Sequence, residues 1–275
     1  MKKVLAWSVH FYTALGLVAA GGIAAALFDP SPSSFRMAFV LMFVATIIDA
    51  TDGTLARLVK VKEVLPKFDG RRLDDLIDFQ TYTSLPLLLI ARAGLLPPGQ
   101  DFWLLFPLLA SAYGFCQVSA KTEDGYFLGF PSYWNIVALY LYVLQPPPVV
   151  SVGLLLTFAF LTFVPARYLY PTHRGRLNRW ANILAAPWCL MLLAILFLLD
   201  SSSVAAAKEE HPAIVVLVYA SLMYPLFYLG TSWYITARMV IRVLHHKPRT
   251  ANEHEQEWPR TVAGVGTPTP GPPDA

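Results

Sequence analysis

Apolar residues run through this chain in long blocks separated by short polar stretches. Eight blocks approach the roughly 20 mostly apolar residues that a helix needs to cross a bilayer. They predict helices over about 4–28, 35–59, 74–96, 102–120, 131–146, 148–169, 178–199 and 212–243. The fifth stops at Gln145-Pro146-Pro147-Pro148, because each proline lacks an N–H and clashes with the preceding turn. The eighth is long enough to leave the membrane as a helix. Residues 248–275 are rich in Pro, Gly and Thr and predict a disordered tail. The pattern therefore describes an all-α, polytopic membrane helical bundle, with one membrane-embedded domain over 1–247 and a tail over 248–275. No internal repeat interrupts it.

Composition agrees with a bilayer solvent. Hydrophobic residues make up 56% of the chain and charged residues 14%, against about 25% charged in a soluble domain. A net charge of +3 without a basic patch interleaved with aromatics argues against nucleic acid as a partner. Met1-Lys2-Lys3 precedes an apolar run that continues to about Phe28, too long for the core of a signal peptide, so it reads as an uncleaved first helix. Cys116 and Cys189 fall inside apolar runs and read as small core residues. No Cys/His cluster suggests zinc.

The basic residues fix an orientation. With the Lys2-Lys3 end in the cytoplasm and sides alternating, Arg36, Arg92 and Lys208 alone among the 21 basic residues fall outside. Eight helices with both termini cytoplasmic satisfy that bias; six helices plus a re-entrant hairpin over 131–169 satisfy it equally. Trp7, Trp103, Trp180 and Trp233 lie near predicted helix ends, where aromatic belts sit.

Against this background, four carboxylates in two adjacent predicted helices stand out, since an ionisable group at the centre of a membrane helix costs about 2.5–3.5 kcal/mol on insertion scales. Asp49 and Asp52 end the second helix within Asp49-Ala50-Thr51-Asp52-Gly53-Thr54-Leu55-Ala56-Arg57. Asp74 and Asp78 open the third, after Gly70-Arg71-Arg72-Leu73. The spacings of three and four put each pair on one helix face. Like charges converge only around something positive, and hard carboxylate oxygens without nearby His or Cys suit Mg²⁺ or Mn²⁺. Gly53, Ala56 and Gly70 are small where a bulky ligand approaches backbone, and Arg57 offers a fork of N–H donors to a phosphate. Carboxylates, a divalent ion and arginine at a membrane surface describe a pyrophosphate site. Asp75, one residue from Asp74, points elsewhere and reads as solvated or capping.

The run Asp49-x-x-Asp52-Gly53-x-x-Ala56-Arg57, then Gly70-x-x-x-Asp74-x-x-x-Asp78, resembles the signature of the CDP-alcohol phosphotransferases. Twelve residues separate Arg57 from Gly70, a longer spacer than most of that family has. The spacer, the predicted span number and the segment Ala120–Asn135 are similar to the bacterial phosphatidylcholine synthase branch. The resemblance implies condensation of CDP-diacylglycerol with choline at the cytoplasmic face of a bacterial inner membrane, giving phosphatidylcholine and CMP. It implies that Asp49, Asp52 and Asp74 hold two divalent ions (Mn²⁺ or Mg²⁺), with Asp78 near the second and taking the proton of the choline hydroxyl. It implies that Gly53, Ala56, Arg57 and Gly70 hold the nucleotide, and that the protein associates as a homodimer.

Choline carries a quaternary ammonium, which proteins hold with aromatic faces. Tyr126, Phe127, Phe130, Tyr133 and Trp134, beside Glu123 and Asp124, are candidates for such a cage, and Tyr82 faces the site one turn beyond Asp78. Asn135 orients Glu123 or the substrate, or caps its helix. Lys121, Arg167 and Arg174 serve as lipid-phosphate contacts or as positive-inside anchors, and His10 reads as a packed core residue. Rival readings are a family member using serine, inositol or glycerol 3-phosphate, an enzyme adding CDP-choline to diacylglycerol, and a cation transporter with an acidic pathway.

Overall fold

The computed structural model describes residues 1–118, 122, 126–169, 176–199 and 203–245. It is predominantly helical. The chain divides into two compact units, Met1–Thr236 and Ala237–Ala275. The described part of the second is the end of the last helix, through His245.

In the first unit, α1 (Lys2–Ala26) and α2 (Pro32–Val59) form a hairpin. Ser31 caps α2 by accepting from the Ser34 amide, and Pro32 occupies the first turn, where its missing N–H has no cost. In the loop between them, the Ser31 and Ser34 hydroxyls each donate to Asp29 at 2.9 Å and hold its carboxyl below the ordinary range. α2 ends where Lys60 turns left-handed at φ 56. The chain then makes a single turn, α3 (Val61–Val64), and enters α4 (Gly70–Asp78), capped by Asp69 through the Arg72 amide.

The third predicted helix is continuous but not uniform. A π-helical turn, Phe79–Ser84, separates α4 from α5 (Leu85–Arg92). Such turns are uncommon and often mark functional sites. A 3₁₀ turn (Asp101–Leu104) leads into α6 (Leu105–Cys116). α7 (Trp134–Leu144) stops at Gln145, left-handed at φ 50, before the three prolines, and α8 (Pro148–Leu161) starts on the last of them. α9 (Arg176–Leu198), a short α10 (Val204–Glu210) and α11 (Ala213–His245) complete the order.

Two differences from the predicted pattern matter. The helix expected to run to residue 169 ends at Leu161, because Pro165 forbids its continuation. The residues beyond form β2 (Arg167–Leu169), which pairs antiparallel with β1 (Tyr126–Leu128), Tyr126 opposite Leu169. A small ribbon thus interrupts the all-α pattern. Gly129 closes it at φ +84, and a side chain there would collide with the Thr162 carbonyl oxygen.

One apolar core, including Ile23, Phe39, Leu89, Trp134, Leu155 and Ile195, joins α1, α2, α5, α7, α8 and α9. Among the described residues, four helices are long and apolar enough to cross a membrane: Lys2–Ala26, Pro32–Val59, Leu177–Leu198 and Ala213–Arg242. Large apolar residues cover the outside, among them Phe11, Met37, Leu109, Phe160, Phe197 and Val216, as expected when lipid is the neighbouring solvent. Cys116 belongs to this exposed surface rather than to the core, and Cys189 is half-buried.

Candidate active site

The carboxylates come together at one end of α2 and α4. One oxygen from each of Asp49, Asp74 and Asp78 lies within 4.8 Å of the others. All three residues are partly buried. Such a set of hard oxygen donors fits a divalent cation of the Mg²⁺ or Mn²⁺ type, and the repulsion among the three favours one. Asp52 is the most buried of the four, and accepts a 2.7 Å hydrogen bond from Thr13 of α1. It stands outside the three-carboxylate group. A second α1 residue, Tyr12, bonds Thr51 at 2.8 Å, so α1 braces the acidic end of α2. At Gly16 a Cβ would lie 2.6 Å from Ile77 Cγ2, so α1 also approaches α4 closely. Asp75 points away and meets Arg71 at 4.0 Å on an exposed face.

A cavity of about 880 Å³ adjoins the carboxylates. Asp52, Gly53, Ala56, Arg57, Gly70 and Asp74 all line it, as do the cations Lys60, Lys62 and Arg71. Lys60 pairs with Glu63 at 3.6 Å across exposed side chains. The Arg57 guanidinium donates to Thr54 at 3.0 Å and is otherwise exposed. Gly53 and Gly70 are small for different reasons. A Cβ at Gly53 would meet only the Arg57 guanidinium, at 3.5 Å, which leaves that wall open to a ligand. A Cβ at Gly70 would press into His10 Cε1 and lie 2.9 Å from Nδ1. His10 is packed, as expected, against Phe68 at 4.4 Å and Trp7 at 5.8 Å between ring centroids. It also lines the cavity, a placement its apolar sequence neighbours did not signal.

The aromatic candidates separate into two groups. Trp134 is fully buried and donates through Nε1 to Ser111. Phe130 stacks on Phe158 at 4.8 Å and meets Trp134 edge-on. These two are core residues and present no open face, which corrects the expectation that Trp134 contacts substrate. Tyr126 is partly buried, with the Arg167 guanidinium 5.4 Å from its ring centroid. A cation of the protein therefore already occupies that ring face. Asn135 is buried; its Oδ1 accepts from the Ile136 amide, and Nδ2 reaches Thr46 of α2 at 3.5 Å, one turn before Asp49. Lys121, Glu123, Asp124 and Arg174 lie outside the described residues. Tyr82 does face the site and donates to Asp49 at 2.8 Å. From Tyr82, partly buried rings continue to Tyr133 (6.4 Å) and to Tyr228 of α11 (6.3 Å). Tyr228 lies 146 residues after Tyr82 (228 minus 82), and no local pattern linked them.

The fold and site together define an all-α membrane protein carrying an acidic cluster suited to a divalent metal, beside a cavity with several cations in its wall. No protein-family model matches the chain. Curated relatives do. A phosphatidylcholine synthase of Legionella bozemanae is 36% identical over 206 residues, which cover 74% of this chain and 92% of the relative. One of Pseudomonas aeruginosa is 40% identical over 174 residues, 62% of this chain and 71% of the relative. One of Rhizobium meliloti is 32% identical over 231 residues, 83% and 90% respectively. The chain belongs to the phosphatidylcholine synthase family.

Proposed function

We propose that this protein condenses CDP-diacylglycerol with choline, forming phosphatidylcholine and CMP. The observation that carries the reading is spatial. The residues whose pattern resembles a CDP-alcohol phosphotransferase signature gather around one cavity, with the acidic cluster at its side. Family membership supports the same reaction.

In this reading the nucleotide lies in the cavity. Gly53 and Ala56 leave room beside the α2 backbone, and Arg57 offers its guanidinium fork to phosphate oxygens. Asp49, Asp74 and Asp78 would hold a divalent ion, and Asp52 would share in a second. When bound, these ions supply charge neutralisation for the pyrophosphate and for the CMP leaving group. The choline hydroxyl is a poor nucleophile until its proton moves to a base. Asp78 takes that proton. The alkoxide oxygen forms its bond to the diacylglycerol-bearing phosphorus while the bond from that phosphorus to the CMP oxygen breaks. Tyr82 orients Asp49 through its 2.8 Å hydrogen bond.

The same proposal places eight helical segments in a bacterial inner membrane, with both termini and the active site at the cytoplasmic face. It takes residues 1–247 as one membrane domain with 248–275 as a tail, and the protein as a homodimer. Reporter fusions at the loops test the topology, and native mass measurement in a bilayer mimic tests the dimer. The decisive assay uses membranes containing the chain, CDP-diacylglycerol, Mn²⁺ and one labelled alcohol at a time. Label passing from choline into lipid, and lost on chelation, is the expected result. Transfer only from serine, inositol or glycerol 3-phosphate rejects choline, and transfer from CDP-choline to diacylglycerol rejects the donor.

A further inference from the structure

Three of the aromatic residues that sequence position alone would offer to a choline headgroup are closed to it or already engaged. Trp134 and Phe130 are packed in the core, and Arg167 already lies over the Tyr126 ring. The rings that lead from the carboxylates are Tyr82, which bonds Asp49, then Tyr133 and Tyr228, the last with one face stacked on the buried Tyr168 at 6.3 Å and the other turned toward Tyr133. Each is partly accessible. Their successive planes are tilted by 52° and 57°, so they do not stack face to face and hide one another.

The three rings are held from three sides. Tyr82 sits in the π-helical turn after Asp78, and its hydroxyl donates to Asp49. Tyr133 follows Ser132, a buried non-glycine residue at φ 56. It is also the centre of a tight turn, φ −77 and ψ 55, closed by the Trp134 amide donating to the Ser132 carbonyl at 2.8 Å. That is an inverse γ-turn. A left-handed serine followed by such a turn is an uncommon backbone, of the kind that clusters at ligand sites. Tyr228 is anchored by its hydroxyl, which donates to the Leu169 carbonyl of β2 at 3.0 Å. Ser232 and Thr236, on the same face of α11 at steps of four, accept from the Leu169 and Arg167 amides at 3.3 and 2.7 Å. The ribbon thereby fixes α11, and with it the third ring.

We propose that Tyr82, Tyr133 and Tyr228 form the seat of the acceptor's quaternary ammonium, holding it by ring faces while its hydroxyl reaches the Asp49–Asp74–Asp78 cluster. The proposal rests on the reading of the protein as a choline-using transferase, and adds the residues that choose the acceptor. A trimethylammonium has no N–H to donate, so hydrogen-bond acceptors alone do not select it, whereas the negative face of an aromatic ring does. The Tyr82–Asp49 bond ties this seat to the acidic cluster, so a cation resting on the rings leaves a hydroxyl two methylenes away near the carboxylates. Serine, inositol and glycerol 3-phosphate lack the group that such a seat rewards.

The test uses the full chain in lipid bilayers, with choline KM, CDP-diacylglycerol KM, kcat and inhibition by tetramethylammonium measured for each variant. Tetramethylammonium carries the cation without the hydroxyl, so it reports on the seat alone. In Tyr228→Leu, choline KM and the tetramethylammonium inhibition constant both rise about tenfold, within the range expected for losing one ring from a desolvated cation site. CDP-diacylglycerol KM and kcat stay within about twofold. Tyr228→Phe keeps the face and loses only the hydroxyl anchor to Leu169, while Ser232 and Thr236 still hold α11, so both choline readouts rise clearly less than in Tyr228→Leu. Tyr133→Leu and Tyr133→Phe repeat the pattern and carry the test if the Tyr228 variants do not fold. Unchanged tetramethylammonium inhibition in the Leu variants, or a parallel rise in CDP-diacylglycerol KM, overturns the seat while leaving the reaction standing. Wild-type protein that transfers no choline overturns the reaction and the seat together.

Discussion

The cavity and the tyrosine cluster flank the same carboxylates but are built in opposite ways. Apart from the α1 contributions of Val9, His10 and Thr13, the cavity wall comes from residues 52–74, where α2, α3 and α4 follow one another along the chain. The tyrosines come from the π-helical turn, the start of α7 and the middle of α11. The cavity depends on small residues and charges set by helical spacing. The tyrosine cluster depends on a ribbon, a left-handed serine and hydrogen bonds between distant elements. One side therefore tolerates little change in local sequence, while the other tolerates little change in how remote helices are docked. In the proposed reading, the chemistry common to a nucleotide donor falls on the first side, and the choice of acceptor falls on the second.

The largest effect belongs to the junction of the two. Asp78→Asn removes the proposed proton acceptor with little change of shape. General-base catalysis contributes about 10²–10⁴-fold, so kcat is expected to fall by at least about a hundredfold. Binding of CDP-diacylglycerol or CMP, measured by calorimetry in nanodiscs, falls far less than turnover, because in the proposed reading Asp49, Asp52 and Asp74 remain to hold the ions and Asp78 does not line the cavity. Substantial turnover in this variant removes Asp78 as the base. A joint loss of binding and turnover would show that the two sides are not separable at this carboxylate.

A smaller effect probes the cavity side alone. Gly70→Ala puts a methyl group against the His10 ring, which Trp7 and Phe68 confine. Overpacking of this kind costs about 1–3 kcal/mol, read as a lower unfolding temperature in detergent and weaker CMP binding. Choline KM changes little. His10→Ala leaves a void and is itself destabilising. The double variant Gly70→Ala, His10→Ala is expected to be more stable than the sum of the two singles predicts, because the space that one vacates the other fills. Strict additivity would mean that His10 moves aside without cost and that Gly70 is small for the ligand instead.

The same contrast explains what could be read from the sequence. Helical spacing placed Asp49 and Asp52 on one face and Asp74 and Asp78 on another, and a short connection made the two helices neighbours. Periodicity suffices for such local geometry. It also brought out Gly53, Ala56, Arg57 and Gly70, which the structure collects in one wall. His10 reads as packed from its apolar neighbours, and it is, but its place in the cavity depends on how α1 crosses α4. Trp134 and Tyr228 show the larger difficulty. Both are aromatic residues in apolar helices, and composition cannot tell a ring buried against Ser111 from a partly exposed one that meets Tyr133. The distinction is made by tertiary contacts from β2 and α11. The ribbon itself was hidden because three-residue strands carry no usable alternation. Of the eight helical segments expected, four meet the length and hydropathy of a full span by themselves among the described residues, since turns and prolines divide the others into shorter pieces.

The smallest expected effect on catalysis is at Trp134, and it sharpens the division between core and site. Trp134→Phe keeps an aromatic ring in the core but deletes the N–H that donates to the fully buried Ser111. A buried hydroxyl left without its donor, together with the smaller ring volume, costs about 1–3 kcal/mol. Thermal unfolding in detergent registers that loss. Choline KM and tetramethylammonium inhibition stay within about twofold of wild type, because the ring offers no face to the headgroup. Ser111→Ala in the same background tests the origin of the cost: it is expected to restore part of the stability, since both polar partners are then gone. A rise in choline KM in Trp134→Phe comparable to that in Tyr228→Leu would place Trp134 among the headgroup contacts after all, and would require the α7 entrance to open when substrate binds.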